Sequence, residues 1–376
     1  MVTLVVSTTT DPASFGPASA LTSLGNWTPG ISFQGVRSKV YGEVRLLEHD
    51  TGIVEEDHLD KRWEDVSGEV VDEIVFLSKH TAVTNRPALT IHPIEVKGSI
   101  LTPYKAGGPF LPLVGPEATL AGGPFLPLVG PEATLPLVWV WLSTSQPLPH
   151  TVENGVPHLK EGDVPSQGGK PGWAAVPSPR MTSWLILLKK IAQSHNLVPE
   201  FEITLEATHH GPVTNKPTMF VEIGSTIDCW KRQDAAQVIA QLVWEGLGIG
   251  GGEAVGNWNS MASNKKVLLG VGGGHYVPRH MDIIMKGGVW VCHLLSGYSL
   301  PMEDPAESKG EKDSNNVGGT WKHAIKTAYD ATVEGFPGGE VIAHLDHKSF
   351  KGWQKKAIIE YLSEQNIKIG KPNDFY

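Results

Sequence analysis

The chain has 376 residues, a formal net charge of −9 and two cysteines. This length suits one large domain or two modest ones, and the negative charge excludes a protein coated in basic surface, although a local basic patch can still bind nucleic acid. Neither Cys229 nor Cys292 belongs to a Cys-x-x-Cys pair, which argues against a disulfide framework or a cysteine-based zinc knuckle. The 15 histidines are more than usual, and imidazole is the commonest metal ligand.

The N-terminal sequence predicts no targeting segment. It has no basic residue before Arg37, so it resembles neither a signal peptide nor an Arg-rich transit peptide. No apolar run approaches the roughly 20 residues of a membrane span. We therefore expect a reducing compartment, with the cytoplasm as the main location and the nucleus as a second one.

The first quarter of the chain contains three apolar runs that predict strands, at residues 2–7, 73–77 and 89–92. Between them, Asp11 and Pro12 are typical of the N-cap and first position of a helix. Residues 15–68 are mixed, with Gly and Pro breaks and an acidic tract, and we assign no element there.

A perfect duplication follows, because residues 106–120 are repeated identically at 121–135. Each copy carries three prolines, which excludes a helix or a central strand, and two copies are too few for a solenoid. The sequence therefore predicts a single domain over 1–376, interrupted by a low-complexity insert at about 95–155 that the fold does not need.

Strands alternate with helices through the second half. Strands are predicted at 201–205, 218–223, 266–271, 289–293 and 340–345, and apolar stripes predict helices from 181, at 228–246, from 321 and from 353. This alternation indicates an α/β fold with three layers, a sheet covered by helices on both faces.

Polar side chains follow several of these strands, where α/β folds place chemistry. His80 follows the strand at 73–77, and Glu206, His209 and His210 follow the strand at 201–205. Alternation along a strand predicts that His209 and His210 point to opposite sides unless the chain turns there. Because strand ends on one edge of a sheet are neighbours, we expect these side chains to share a cleft.

The glycine run Gly272–Gly274 follows another strand and precedes His275 and Tyr276. It lacks both the dinucleotide-binding and the Walker patterns, so it favours close approach of backbone N–H groups to a ligand oxygen. The N–H groups of Gly273 and Gly274 are therefore candidate donors to an oxyanion.

The strand at 340–345 leads into a further polar group. Alternation predicts that His344, Asp346 and Lys348 share one side, either lining a cleft or forming a solvated edge. The lysines that follow predict either a track for a phosphate backbone or a solvated helix face. They are Lys351, Lys355 and Lys356.

No Gly-x-Ser-x-Gly elbow is present, which disfavours a covalent serine mechanism. Hydrolysis by water, activated by histidine or a metal, is the simplest chemistry that these residues support. The candidate catalytic residues are His80, Glu206, His210, His275, Asp346 and Lys348, and the candidate substrate-binding residues are Gly273, Gly274, Tyr276, Lys351, Lys355 and Lys356.

Five ordered motifs together resemble the type 2 D-aminoacyl-tRNA deacylases of archaea and plants. They are Ser78-Lys-His80 before Leu89-Thr-Ile-His92, Glu206-Ala-Thr-His-His-Gly-Pro212, Phe220-Val-Glu-Ile-Gly-Ser225, Gly273-Gly-His-Tyr276 and Asp346-His-Lys348. The resemblance covers residues 1–94 and about 156–376, and the insert is the departure from the family pattern.

The resemblance implies hydrolysis of the ester between a D-amino acid and the tRNA 3′ end, including D-aminoacyl-tRNA modified by aldehydes in plants. It also implies zinc, action on tRNA, and a mixed sheet akin to the peptidyl-tRNA hydrolase and purine nucleoside phosphorylase group. We expect a monomer. The candidate zinc ligands are His92, His209, His210 and His275, each open to the alternative role of base. Two other functions stay open: an inactive RNA- or metal-binding relative, and a metal-dependent hydrolase of another ester or amide.

Overall fold

The computed structural model describes residues 1–54, 56–82, 84–96, 152–153, 156–157, 173–261, 265–304 and 317–376. The chain separates into two compact units, one formed by 1–100 with 162–376 and the other by 101–161. Within the second unit, β8 (Val152–Glu153) pairs with β9 (Val156–Pro157). The predicted insert, including both copies of the repeat, lies mostly outside the described residues and stays a prediction.

The larger unit contains a sheet of eight strands and a sheet of four. The first sheet consists of β1 (Val2–Thr8), β2 (Thr28–Phe33), β3 (Val36–Tyr41), β4 (Val44–His49), β5 (Val71–Lys79), β6 (Ala88–His92), β11 (Glu202–Leu205) and β12 (Thr218–Gly224). The second consists of β13 (Lys266–Val271), β14 (Val289–Leu295), β15 (Glu340–Leu345) and β16 (Lys368–Ile369). A further short pair joins β7 (Glu95–Val96) to β10 (Trp173–Ala174).

The helices are α1 (Pro12–Ser23), α2 (Leu59–Ser67), α3 (Met181–Ser194), α4 (Ile227–Trp230), α5 (Gln233–Gly246), α6 (Pro278–Ile284), α7 (Trp321–Gly335) and α8 (Gly352–Glu364). Asp11 caps α1 by accepting from the N–H of Ala13, and Pro12 follows it, as predicted. The helix predicted at 228–246 is instead two helices, α4 and α5. None of the helices in the described ranges is long and apolar enough to span a membrane.

The eight-stranded sheet has the order β11-β6-β12-β5-β1-β4-β3-β2. Its strands run in both directions: β12 is parallel to β5 but antiparallel to β6, and β6 is parallel to β11. The mixed sheet is therefore confirmed. The four-stranded sheet, in the order β14-β13-β15-β16, is parallel throughout and was not predicted as a separate sheet.

Alternation along the strands produces two faces in the large sheet. One face, with Val75, Leu77 and Val221, packs on α1, α3 and α5 in the largest core cluster. The opposite face, with Phe76 and Phe220, packs on α2 and on residues near Ala175. Burying one stripe of each helix against a sheet face is the main source of stability for such layers.

Candidate active site

One buried carboxylate lies at the centre of the candidate site. Glu206 directly follows β11, and its backbone N–H donates to the carbonyl of Ile91 at 3.1 Å, so the ladder to β6 holds it in place. Its side chain is fully buried. Oε1 lies 2.9 Å from Nδ1 of His80, while Oε2 lies 2.8 Å from Nε2 of His275 and 3.5 Å from Nε2 of His209.

Two tyrosines contact the far sides of the imidazoles that face this carboxylate. The hydroxyl of Tyr276 lies 2.8 Å from Nε2 of His80, and the hydroxyl of Tyr298 lies 3.2 Å from Nδ1 of His275. A carboxylate offers only lone pairs, so these ion pairs favour a proton on Nδ1 of His80 and on Nε2 of His275. The opposite nitrogens then accept from the tyrosines.

These contacts set the charge of Glu206. Burial raises the pKa of this carboxyl, but the contacts with His275 and His80 hold its pKa well below the ordinary value. Glu206 is therefore an anion at neutral pH, stabilised by the imidazoles around it.

Three histidines form an adjoining group. One ring nitrogen from each of His92, His209 and His210 lies within 4.8 Å of the others. Nδ1 of His92 lies 3.0 Å from the carbonyl of Pro93, and Nδ1 of His209 lies 2.6 Å from the carbonyl of Ala207. Carbonyl oxygens only accept, so both Nδ1 atoms donate, and Nε2 presents a lone pair whenever the ring is neutral.

Two members of this group are neutral at neutral pH. Burial, followed by the charge of His92, lowers the pKa of His209 well below its ordinary value and that of His210 to about 3. A neutral imidazole can donate its lone pair to a metal ion. A pKa near 3 also makes His210 a poor proton acceptor, which favours the role of ligand over that of base.

The structure adds a residue that the sequence analysis did not select, Glu222 in the middle of β12. It is fully buried, with Oε1 3.7 Å from Nε2 of His92 and Oε2 3.8 Å from Nδ1 of His80. Burial raises the pKa of this carboxyl. The sequence did contain a signal, because a carboxylate inside a strand buried along its whole length is costly without a partner.

The site residues meet over a face of the large sheet, which corrects the prediction that they share one edge. The strands β5 and β12 run antiparallel to β6 and β11. The strand ends that precede His80 and Glu206 therefore lie at opposite ends of the sheet along the strand direction. Register places His92 beside Phe220, and these rings stack with centroids 5.0 Å apart. Side chains on this face of the two strands therefore form the floor of the site.

Two local features of the backbone allow this convergence. His80 lies against Gly224, where an added Cβ would stand 2.6 Å from Cδ2 of the imidazole, so a larger residue would displace the ring. The strand β11 ends at Leu205, so strand alternation does not apply to His209 and His210. Their rings lie 4.3 Å apart between centroids, and both belong to the histidine group.

The other predicted residues lie in different surroundings. Asp346 pairs with Arg279 at 2.9 Å and also accepts from the backbone N–H of Lys348. Because β15 ends at Leu345 and a 3₁₀ turn follows, the predicted alternation through Asp346 and Lys348 is wrong, and the Lys348 side chain is exposed. The N–H of Gly273 already donates to Oγ of Ser349 at 2.6 Å, which leaves Gly274 as the candidate donor.

The lysine group extends from the capping residue of α8 along its first turns. Lys351 and Lys356 are exposed, Lys355 is half-buried, and Lys356 pairs with Glu360 at 3.7 Å. Their predicted contact with tRNA stays a prediction.

The donor set is compatible with a metal ion. The buried Nε2 of His92 and Nδ1 of His210 have no hydrogen-bond partner, although such buried groups are normally paired. Imidazoles suit zinc, and backbone carbonyls that hold Nδ1–H are typical partners of metal-binding histidines. Of the four predicted ligands, His92, His209 and His210 form one group, whereas His275 lies with His80 and Glu206 in another.

An α/β scaffold that buries carboxylate and imidazole groups in one place is typical of a hydrolase that activates water. Comparison with known proteins agrees with this class. The sequence profile of the D-aminoacyl-tRNA deacylase family matches residues 153–370. A D-aminoacyl-tRNA deacylase of Arabidopsis thaliana is 54% identical over 376 residues, covering 100% of both chains.

More distant relatives agree as well. A D-aminoacyl-tRNA deacylase of Aeropyrum pernix is 31% identical over 206 residues, which are 54% of this chain and 64% of that protein. The crystal structure of a conserved protein of unknown function matches with a TM-score of 0.65 and 21% identity, covering 100% of this chain and 96% of that one, and it supports the fold. This chain belongs to the D-aminoacyl-tRNA deacylase family.

Proposed function

We propose that this protein hydrolyses the ester that joins a D-amino acid to the 3′ end of tRNA, releasing the D-amino acid and the tRNA. The observation that carries the proposal is the buried Glu206 carboxylate between His80 and His275, in a chain of this family. The same ester is present when the amino group carries an aldehyde adduct, so the proposal includes these substrates.

Proton transfer is assigned to His275. Its side chain is 32% exposed, so water and substrate can reach it. Glu206 fixes the proton on Nε2 and stabilises the imidazolium, which leaves Nδ1 to accept a proton from the attacking water, in place of the Tyr298 hydroxyl. The same imidazolium then returns that proton to the leaving ribose oxygen.

A bound zinc ion would supply Lewis acidity and a lower pKa for the attacking water. The residues proposed to hold it are His92, His209 and His210. On this assignment His80 is a positioning residue, which supports Glu206 through Nδ1 and is itself oriented by Tyr276.

The proposed substrate is a polyanion, whereas the chain carries a net charge of −9. The lysines 351, 355 and 356 are the sequence-based candidates for a phosphate track. Neutralising all three should weaken tRNA binding and lower the slope of log affinity against log salt by one to three, since each phosphate contact contributes about one. An unchanged slope would place the track elsewhere.

The test of function is deacylation of D-Tyr-tRNA and L-Tyr-tRNA by the purified chain, with and without a chelator. We expect turnover of the D form only, lost with the chelator and restored by zinc. Binding without turnover in the presence of zinc would favour an inactive relative. Turnover of a simple ester but not of D-Tyr-tRNA would favour a hydrolase of another ester.

A further inference from the structure

An exposed cation–aromatic pair lies directly beside the candidate active site. Lys79 ends β5 and is exposed, and its Nζ lies 5.3 Å from the ring centroid of Trp230. Trp230 ends α4 and is half-buried, and its indole Nε1–H donates to the carbonyl of His80 at 3.0 Å. We call this pair the Lys79–Trp230 platform.

The platform and the chemistry are joined through a single residue. The backbone carbonyl of His80 accepts the indole N–H, and the imidazole of the same residue lies 2.9 Å from Glu206. In aminoacyl-tRNA the reacting ester is carried by the ribose of the terminal adenosine, and the adenine is attached to that same ribose. An enzyme that cleaves this ester must therefore hold the adenine close to its catalytic groups.

The surroundings of the platform carry more positive than negative charge. Lys231 follows Trp230 and is exposed. Arg86 is also exposed, and its backbone carbonyl accepts from Oγ of Ser225 at 2.7 Å, which holds its loop beside the segment leading into α4. Asp228 is the exposed carboxylate on the same turn. Asp11, which is buried, is a second carboxylate here and attracts Lys79. Three cations near two carboxylates still favour an anionic ligand, although the whole chain is acidic.

We propose that the Lys79–Trp230 platform binds the terminal nucleotide of the tRNA, with the adenine stacked on Trp230 and Lys79 on the adjacent phosphate. This inference rests on the proposed function. Stacking of a base on an aromatic ring is stronger than an exposed cation–π contact. A base can therefore displace the ammonium of Lys79 from the ring, and the displaced ammonium remains beside the phosphate.

A second pair of the same kind provides a matched control. Nζ of Lys265 lies 4.9 Å from the Trp258 ring and 5.0 Å from the Trp290 ring. Lys265 immediately precedes β13, whereas His275 follows the other end of that strand, so this pair lies at the end of the second sheet remote from the site.

The experiment measures binding of a labelled oligoribonucleotide that ends in CCA, and of the same oligonucleotide with an abasic 3′-terminal residue. Trp230→Ala should weaken binding of the intact form about 5- to 100-fold and leave the abasic form unchanged. Trp230→Phe retains the ring but loses the bond to His80, and it should stay within about threefold of wild type. Lys79→Ala should lower the salt slope by about one, whereas Lys265→Ala should not change it.

Three results would overturn the platform. The first is an equal loss of affinity for both oligonucleotides in Trp230→Ala. The second is a loss of affinity in Trp230→Phe as large as in Trp230→Ala. The third is an equal change of the salt slope in Lys79→Ala and Lys265→Ala. Deacylation by the wild-type preparation is measured in parallel. Stacking without turnover contradicts the proposed function alone, and turnover without stacking contradicts the platform alone.

Discussion

Replacing Glu206 by glutamine changes one oxygen to an amide nitrogen at almost constant volume. In the native site the two carboxylate oxygens pair with imidazole nitrogens, at 2.9 Å from His80 and 2.8 Å from His275. A glutamine retains one acceptor, and its NH₂ group must face one of the two N–H donors. One charge-assisted hydrogen bond is therefore lost, each being worth about 1.5–3 kcal/mol.

The imidazole that faces the NH₂ group can restore a hydrogen bond only by moving its proton to the other nitrogen. For His275 this shift would place the proton on Nδ1, the atom assigned to accept it from water. We therefore expect single-turnover deacylation of D-Tyr-tRNA to fall by about 10²- to 10⁴-fold in Glu206→Gln, as for the loss of a catalytic partner or its orienting group.

Glu202→Gln is the control, because Glu202 is exposed on the strand that Glu206 follows, and it should retain the wild-type rate. Zinc content and the free energy of unfolding are measured for each variant. A rate within tenfold of wild type in a folded Glu206→Gln protein would refute the proton path. Loss of the bound metal in this variant would also refute it, by making Glu206 a ligand.

Three further outcomes are expected. Gly224→Ala should lower the deacylation rate by about 10²-fold because the new Cβ displaces His80. The control Gly52→Ala, which has open space around its new Cβ, should keep the wild-type rate. Equal rates for the two variants would contradict the contact between Gly224 and His80. Hydrogen bonding to His49 lowers the pKa of Glu56 to about 2 from 4.5, so its stabilisation is complete above pH 4.5 and is lost as the pH falls towards 2. Between pH 4.5 and 2, the free energy of unfolding measured in urea should therefore fall by about 1–2 kcal/mol less for Glu56→Gln than for the wild type. Identical pH profiles for the two proteins would exclude a contribution of Glu56 to stability. Deleting residues 97–151, which spares β7, should leave the unfolding free energy within about 2 kcal/mol of wild type, and a larger loss would make the insert part of the core.

The sequence predicted most of the buried strands because burial on both faces leaves an apolar run. It did not predict β2, β3 or β4. The side chains of β2 are mostly exposed at the edge of the sheet, and the buried β4 is interrupted by Arg45 and Glu48. The approach of His80, Glu206 and His275 was predicted, but the expected reason was wrong, because the strands that precede His80 and Glu206 finish at opposite ends of the sheet. The role of Glu222 was missed because its contact with His92 depends on β6 running antiparallel to β12. The relative direction of two strands cannot be read from the local pattern of residues.

The loop after β11 hydrogen-bonds to the second sheet as well as to the first. The N–H of Ala207 donates to the carbonyl of His275 at 2.7 Å, and that of Thr208 donates to the carbonyl of Leu294 at 2.8 Å. The site thus unites segments nearly two hundred positions apart along the chain, as the bond between His80 and Tyr276 illustrates. Contacts of such long sequence separation form slowly in folding. A nascent or partly unfolded chain would therefore carry no catalytic centre, and activity would report that both sheets have assembled.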